Sequence, residues 1–234
     1  MKTSILKAVL AARAASRPVA VVSNLETGDQ ALVYPDAVEG TLALPDAAIA
    51  SARKAIADDK SGRIPAEAAG NAPLFAQVSN PAKRLVIVGA VHIAQPLVVM
   101  AQTAGYAVTI VDPRGAFATK DRFPGVDLSE DWPDDALTAL NIDTRTAVVT
   151  LTHDPKLDDP ALMVALKSPA FYIGSLGSKR THAGRVARLT EAGLSEAEIA
   201  RIHAPIGLNI GGKSPAEIAI SILAQITEVL HAPR

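Results

Sequence analysis

The clearest pattern in the chain is a series of short apolar runs after Pro81 that alternate with longer amphipathic stretches. A short, nearly uninterrupted apolar run is typical of a strand buried on both faces, and a longer stretch with helical spacing predicts a helix. The predicted strands lie at 84–88, 108–112, 147–151 and 170–173, and the predicted helices at 93–103, 160–166, 177–191, 196–202 and 215–230. This alternation indicates a parallel sheet with helices on both faces, so we expect a doubly wound α/β domain.

The chain before Pro81 shows a different pattern of predicted helices and strands. The expected elements are an amphipathic first helix, strands at 19–22 and 31–34 around a turn at 26–29, and a helix at 47–58. Between 60 and 81 neither helical nor strand spacing is sustained. We therefore predict two domains, a small α+β domain at 1–80 and the doubly wound domain at 81–234.

Composition and charge narrow the classes of function. The chain is 49% hydrophobic and 3% aromatic, and its 23 basic and 24 acidic residues give a net charge of -1. This balance excludes a general nucleic-acid binder, which needs a basic surface. The first apolar run is interrupted at Lys7, and no apolar stretch approaches the ~20 residues of a membrane span, so we expect a cytoplasmic chain that engages no membrane. The absence of cysteine excludes disulfides and thiolate metal sites.

The turn after the first strand of the second domain carries a dinucleotide-type motif. Gly89 follows that strand, and Asp112 ends the next strand about 20 positions later, the spacing that brings an acid to a ribose hydroxyl. Ala94 is small enough for the third glycine position of the fingerprint, but Val91 occupies the second, where glycine lets the backbone approach a pyrophosphate. The motif predicts a Rossmann-like doubly wound parallel sheet and disfavours ordinary NAD binding.

Several polar residues follow predicted strand ends, where doubly wound folds bind ligands. His92 either contacts a ligand or bonds a backbone carbonyl at the start of its helix. Asp112 either accepts hydrogen bonds from a ribose, with Arg114 on a phosphate or charged ring, or caps a turn. His153 and Asp154 form either a proton-transfer pair in the same crevice or a structural pair.

A second glycine-rich loop joins the last predicted strand to a helix and is a candidate phosphate cradle. It combines backbone N–H groups and serine hydroxyls with two cations in the first helical turn, where the helix dipole disfavours each cation by ~0.3–1 kcal/mol unless an anion is near. The alternative is a solvated loop, and the spacing does not match a Walker motif. The residues of this predicted cradle are Gly174, Ser175, Gly177, Ser178, Lys179 and Arg180.

The last polar loop of the chain contains Asn209 and Gly211, which are candidate ligand contacts through a glycine-rich backbone. Ser214, Pro215 and Glu217 then match the N-cap, N1 and N3 positions of a capping box, which starts the final helix.

Other charged residues have simpler interpretations. Asp158 and Asp159 are expected to cap a helix that begins at Pro160. His182, His203 and His231 lack the spacing of a metal site, so no metal ligand is predicted.

Taken in order, these motifs resemble the xanthine dehydrogenase accessory factor (XdhC/CoxI) family over the stretch from Leu85 to the C-terminus. The shared features are a glycine turn followed by histidine, an acid and arginine at a strand end, a Thr-His-Asp triplet, a glycine–serine loop, and a closing loop and helix. The matching stretches are 89–92, 111–114, 152–154, 172–180 and 206–219. Five motifs in the same order are more specific than any one alone.

The resemblance implies a cofactor-binding chaperone rather than a catalyst, serving a molybdenum hydroxylase of the xanthine dehydrogenase or CO dehydrogenase type. It implies binding of the molybdenum cofactor, as the pyranopterin or its dinucleotide form, and support for its sulfuration and insertion. The implied partners are the hydroxylase apoenzyme and a cysteine desulfurase, and a homodimer stays open. The expected cofactor-binding residues are Gly89, His92, Asp112, Arg114, His153, Asp154, the six cradle residues, Asn209 and Gly211.

Two other classes of function remain as alternatives. One is an NAD(P)-dependent oxidoreductase in which His92 or His153 donates a proton. The other is a scaffold that binds no ligand and docks onto the hydroxylase.

Overall fold

The computed structural model describes residues 2–232, which belong to two compact units, Met1–Pro81 and Ala82–Arg234. The elements of the first unit are α1 (Thr3–Ala14), β1 (Val19–Asn24), β2 (Gln30–Val33), β3 (Val38–Gly40), α2 (Asp46–Ala57), β4 (Gly62–Arg63) and β5 (Leu74–Ser79). Its strands form one antiparallel sheet in the order β3-β2-β1-β5-β4.

The sheet of the first unit buries both of its faces. Val19 and Val21 of β1 belong to an apolar cluster with residues of α1, whereas Ala20 and Val22 belong to a second cluster with residues of α2. Because successive side chains of a strand point to opposite faces, the all-apolar sequence of β1 requires cover on both sides.

The stretch 60–81, where we expected no regular element, contains β4 and β5. Strand β5 pairs with β1 along its length, and Val22 lies opposite Ala76. Leu74 and Ala76 are buried in the cluster under α2. The local sequence pattern of β5 is weak. Its pairing with β1 supplies the stability that local propensity does not.

The second unit is a six-stranded parallel sheet in the order β11-β10-β9-β6-β7-β8. The chain passes outward from β6 on one side and then returns to the other side through β9, so the topological switch point lies between β6 and β9. This is the Rossmann order, and the expected Rossmann-like fold with a small N-terminal α+β part is confirmed. The elements are β6 (Lys83–Val88), α3 (Ala94–Thr103), β7 (Tyr106–Val111), β8 (Asp127–Ser129), α4 (Pro133–Ala139), β9 (Thr146–Thr150), α5 (Pro155–Lys167), β10 (Tyr172–Ser175), α6 (Lys179–Glu191), α7 (Glu196–Ile199), β11 (Ile202–His203) and α8 (Pro215–His231).

Helices cover both faces of this sheet. Leu85 and Ile87 of β6 are buried in a cluster with α3 and α8, and Val86 and Val88 are buried in a second cluster with α4, α5, α6 and α7. The apolar side chains of the strands are therefore removed from water on both faces of the sheet. Because the strands are parallel, their carboxyl ends lie at a single edge, where the loops begin. None of the helices within residues 2–232 has the length and apolar character needed to cross a membrane.

Helix α5 begins five residues earlier than expected. Its N-cap is Asp154, whose carboxylate accepts a hydrogen bond from the backbone N–H of Lys156, and Pro155 occupies the first helical position. Pro160 lies inside the helix, so the expectation that Asp158 and Asp159 cap a helix beginning there is wrong. Pro155 and Pro160 both match the preference of proline for the first turn of a helix. The N-cap residue directly before Pro155 places the start of the helix there.

Several short elements of the second unit were not expected. They are β8, α4 and β11, and the helix expected at 196–202 stops at Ile199 so that Ile202 can pair with Ile173. Strands of two or three residues at the two sheet edges are too short to show a period of their own. The capping box of α8, with Ser214 and Glu217 bonded reciprocally, is confirmed.

Candidate functional site

The candidate site is the edge of the parallel sheet where β6, β7, β9 and β10 end. In this fold, ligands bind outside the carboxyl ends of the strands at the topological switch point. Gly89 follows β6, Asp112 follows β7, His153 follows β9 and Gly177 follows β10. The topology therefore brings four of the predicted motifs to one edge of the sheet.

Asp112 is fully buried and all of its acceptor capacity is used inside the protein. One carboxylate oxygen accepts from the backbone N–H and Nε of Arg114 at 3.0 and 2.9 Å, and the other accepts from the N–H of Ala90 and Nη2 of Arg114, both at 2.8 Å. A carboxylate offers about four lone-pair positions, and these four bonds fill them. Asp112 thus joins the turn after β6 to the end of β7 and has no acceptor left for a ribose hydroxyl.

The protonation of Asp112 follows from these contacts. Burial by itself raises the pKa of the carboxyl, but the hydrogen bonds from Arg114 and Ala90 outweigh it, so the pKa lies below its ordinary value. The bonds to Asp112 raise the pKa of Arg114, whose guanidinium also lies 4.7 Å from the centre of the Phe117 ring. Asp112 is therefore an anion and Arg114 a cation, and their hydrogen bonds fix both side chains in place.

The turn after β6 presents unpaired backbone donors. The N–H of Ala90 donates to Asp112, and the carbonyl of Ala90 accepts from Arg122. Within the described part of the chain, the N–H groups of Val91, His92 and Ile93 have no acceptor. These groups precede the N-terminus of α3, where the helix dipole favours an anion. The side chain of Val91 is half-buried against the cluster beneath α3.

Glycine is required at position 89. Its φ is +111°, and a Cβ there would lie 2.7 Å from Cγ2 and 3.3 Å from the backbone nitrogen of Thr152. The turn after β6 and the loop after β9 are thus in direct contact across the switch point.

The predicted cradle after β10 divides into buried and exposed parts. Ser175 is fully buried and its hydroxyl lies 2.5 Å from that of Thr150, while the hydroxyl of Ser178 caps α6 by accepting from the N–H of Thr181. A Cβ on Gly174 would lie 2.6 Å from Cδ1 of Ile206, which requires glycine for close packing. The two serine hydroxyls therefore shape the loop.

The cations of this cradle are exposed at the first turn of α6. Among residues 2–232, neither Lys179 nor Arg180 has an ion pair or a side-chain hydrogen bond, and their backbone N–H groups have no acceptor either. Gly177 precedes them with φ +141°. This combination of charges and N–H groups is a second place where an anion is favoured.

The loop after β9 is built around Thr152. Its hydroxyl accepts from the N–H of Asp154 at 3.0 Å and lies 2.6 Å from a carboxylate oxygen of Asp158, to which it donates. His153 is exposed in the left-handed region with φ +61°, a conformation that non-glycine residues rarely adopt. The carboxylate of Asp154 caps α5, and within residues 2–232 no hydrogen bond is found between it and the ring of His153.

Two residues beneath the crevice were missed by the sequence reasoning. Asp158 and Arg185 are almost completely buried and face each other between α5 and α6, with Oδ2 of Asp158 3.8 Å from Nη2 of Arg185. Burial raises the pKa of Asp158 and lowers that of Arg185. One sequence signal could have indicated the burial of Arg185. It lies four positions before Leu189, which places both residues on the apolar face of α6.

The other predicted positions lie apart from this network. His92 is exposed, and in the described chain its ring has no partner. Asn209 has no side-chain hydrogen bond in residues 2–232, and a Cβ on Gly211 would meet nothing within 4 Å. The same residues contain no group of three or more His, Asp or Glu side chains that could hold a metal ion.

These features define a Rossmann-type α/β protein with two anion-favouring positions at the carboxyl edge of its sheet. Residues 85–226 match the sequence model of the family described as the XdhC Rossmann domain. The match covers more than half of the chain, so the chain belongs to that family, and the resemblance found in the sequence is confirmed.

Curated relatives and a solved structure extend the comparison. The chain is 32% identical to the uncharacterized protein YqeB of Escherichia coli K12 over 71% of this chain and 31% of YqeB. It is 35% identical to the molybdenum cofactor insertion chaperone PaoD of the same organism over 64% of this chain and 42% of PaoD. A crystal structure described as a xanthine dehydrogenase from Bacillus halodurans is 26% identical with a TM-score of 0.75, over 99% of this chain and 65% of that one. The chain thus spans less than half the length of these two curated relatives.

The contact between Gly89 and Thr152 predicts that Gly89→Ala destabilises the second unit. The positive φ costs about 1–3 kcal/mol with a side chain present, and the collision with Thr152 adds about 1–3 kcal/mol of overpacking. Gly105→Ala is the matched control, because Gly105 has φ +86° but open space around it. Urea unfolding should show a clearly larger loss for Gly89→Ala, and equal losses would contradict the contact.

The network around Asp112 predicts a pH-dependent loss. Asp112→Asn places an amide N–H₂ against donors and removes charge-assisted bonds, so the free energy of unfolding at pH 7 should fall by about 1.5–3 kcal/mol. Because the pKa of Asp112 is lowered in the folded state, its contribution is present above the ordinary carboxyl pKa and is lost as the pH falls through the folded value. The variant should therefore lose less stability than the wild type on acidification. Asp127→Asn, at an exposed acid, is the control, and an unchanged acid dependence in Asp112→Asn would count against the network.

Proposed function

We propose that this protein is an accessory factor for a molybdenum hydroxylase and that it binds the molybdenum cofactor in the crevice at the carboxyl edge of its parallel sheet. The proposal is supported by membership of the XdhC Rossmann domain family and by similarity to PaoD, a molybdenum cofactor insertion chaperone. Similarity to the Bacillus halodurans protein described as a xanthine dehydrogenase supports the same class of partner.

The observation that carries the proposal is the pair of anion-favouring positions. One is the set of N–H groups of Val91, His92 and Ile93, which have no acceptor in the described chain, and the other is the exposed first turn of α6 with Lys179 and Arg180. The pterin cofactor carries a phosphate, and its dinucleotide form carries a diphosphate. Both groups need donors of this kind, so the residues present fit the anionic end of the cofactor.

The chain binds the cofactor without holding its metal through a thiolate, because it has no cysteine. We therefore assign the affinity to the phosphate and to the polar edges of the pterin. His92 and His153 are exposed beside the crevice, and we assign to them the contacts with the ring system.

The role proposed is that of a chaperone for a bound cargo. A proton-transfer site pairs its histidine with a group that orients the ring, and here the carboxylate of Asp154 caps α5 and the ring of His153 has no hydrogen-bond partner among residues 2–232. The cofactor would be protected in the crevice, sulfurated with a cysteine desulfurase as partner, and passed to the hydroxylase apoenzyme.

The test is retention of released molybdenum cofactor by the purified protein on gel filtration. Wild-type protein should retain it at micromolar concentration, and Arg180→Ala should retain it at least about tenfold more weakly, because a charge-assisted hydrogen bond contributes about 1.5–3 kcal/mol. Lys167→Ala is the matched control, since it removes one exposed charge at the end of α5 that lies away from the crevice. Failure of the wild type to retain the cofactor, or equal weakening by Lys167→Ala, would contradict the proposal.

A further inference from the structure

The buried pair of Asp158 and Arg185 lies directly beneath the loops of the crevice. Asp158 belongs to the first turn of α5 and Arg185 to the second turn of α6, and both side chains are 2% exposed. Their nearest charged atoms, Oδ2 and Nη2, are 3.8 Å apart, which is an ion pair but too long for a hydrogen bond. The two residues therefore do not satisfy each other.

Each member of the pair instead holds one loop of the crevice. The Oδ1 atom of Asp158 accepts from the hydroxyl of Thr152 at 2.6 Å and from its backbone N–H at 3.3 Å. The Nη2 atom of Arg185 donates to the backbone carbonyl of Leu176 at 3.0 Å. One end of the pair thus fixes the loop after β9, and the other end fixes the loop after β10.

The unsatisfied atoms show that the pair is not optimised for stability. Oδ2 of Asp158 and both Nε and Nη1 of Arg185 are buried and find no hydrogen-bond partner in the part of the chain that the structure describes. Buried polar atoms in this state destabilise a protein, and well-packed apolar side chains commonly replace a buried ion pair without loss of stability. The pair therefore needs an explanation other than the stability of the packing between α5 and α6.

The effect of the pair extends to the third loop of the crevice. Thr152, held by Asp158, packs against the backbone of Gly89 in the turn after β6. The same turn carries the unpaired N–H groups that begin at Val91. Leu176, held by Arg185, lies two residues before the N-cap of α6 and so sets the position of Lys179.

We propose that Asp158 and Arg185 are positioning residues that hold the loop after β9 and the loop after β10 in register, so that the two anion-favouring positions engage one ligand together. The pair touches no ligand itself and acts through Thr152 and Leu176. This inference rests on the proposed binding of the cofactor in the crevice.

A second ion pair between the same helices provides a matched control. Asp159 and Arg188 form a two-point contact, from Nε and from Nη2 at 3.1 Å, and among residues 2–232 neither side chain hydrogen-bonds a crevice loop. Removing this pair changes the attachment of α5 to α6 but leaves the anchors of Thr152 and Leu176 in place.

The experiment compares two double variants for the retention of released molybdenum cofactor. Asp158→Leu/Arg185→Met removes the buried pair and keeps apolar volume, and Asp159→Leu/Arg188→Met removes the neighbouring pair. The first should bind the cofactor at least about tenfold more weakly than wild type, and the second should bind within about twofold of wild type. Equal binding by wild type and Asp158→Leu/Arg185→Met, or equal weakening in both double variants, would overturn the positioning role. No retention by the wild type would instead contradict the proposed function.

A single substitution tests the same inference if the first double variant does not fold. Thr152→Val keeps the buried pair and removes only the hydroxyl that Asp158 holds. The expected result is weaker cofactor binding with a circular dichroism spectrum like that of the wild type. Unchanged binding by a folded Thr152→Val protein would overturn the inference.

Discussion

The hydrogen bonding of the Asp112 carboxylate is the interaction on which the candidate site depends. The carboxylate is fully buried, and its four hydrogen bonds join the turn after β6 to Arg114 at the end of β7. Because the N–H of Ala90 is used in this way, the donors of the turn that have no acceptor within residues 2–232 are those of Val91, His92 and Ile93. An acid at this position of a Rossmann fold commonly binds a ribose, and here the same residue builds the protein's own crevice.

The loops around the crevice are held from below in the same manner. The hydroxyl of Ser175 bonds that of Thr150, and Asp158 accepts from the hydroxyl and the backbone N–H of Thr152. Arg185 donates to the backbone carbonyl of Leu176, so the polar side chains nearest the sheet are used inside the protein. Within residues 2–232, what remains without a protein partner is a set of backbone N–H groups together with the exposed cations Lys179 and Arg180. An edge with this distribution favours an anionic ligand, and it supports our proposal that the cargo is a phosphorylated pterin.

The sequence allowed much of the fold to be predicted, because the long buried strands and the Gly89-to-Asp112 spacing are local signals. Short edge strands such as β8 and β11 were missed, since their stability comes from pairing rather than from a period. The start of α5 was misplaced because Pro155 and Pro160 both match a first-turn proline. The site was predicted as a set of loops, but the side-chain partners of Asp112 and Ser175 were not, because hydrogen bonds between distant segments depend on the packed structure. The pairing of Asp158 with Arg185 was not predicted for the same reason.

The central claim is that the turn after β6 and the first turn of α6 bind the anionic end of one ligand. Amide NMR of the protein titrated with inorganic pyrophosphate tests it most directly, because each N–H group reports its own hydrogen bond. We expect saturable shifts at Val91, His92 and Ile93 and at Lys179 and Arg180, all with one dissociation constant. Shifts that avoid these residues, or unchanged spectra at millimolar pyrophosphate, would contradict the account.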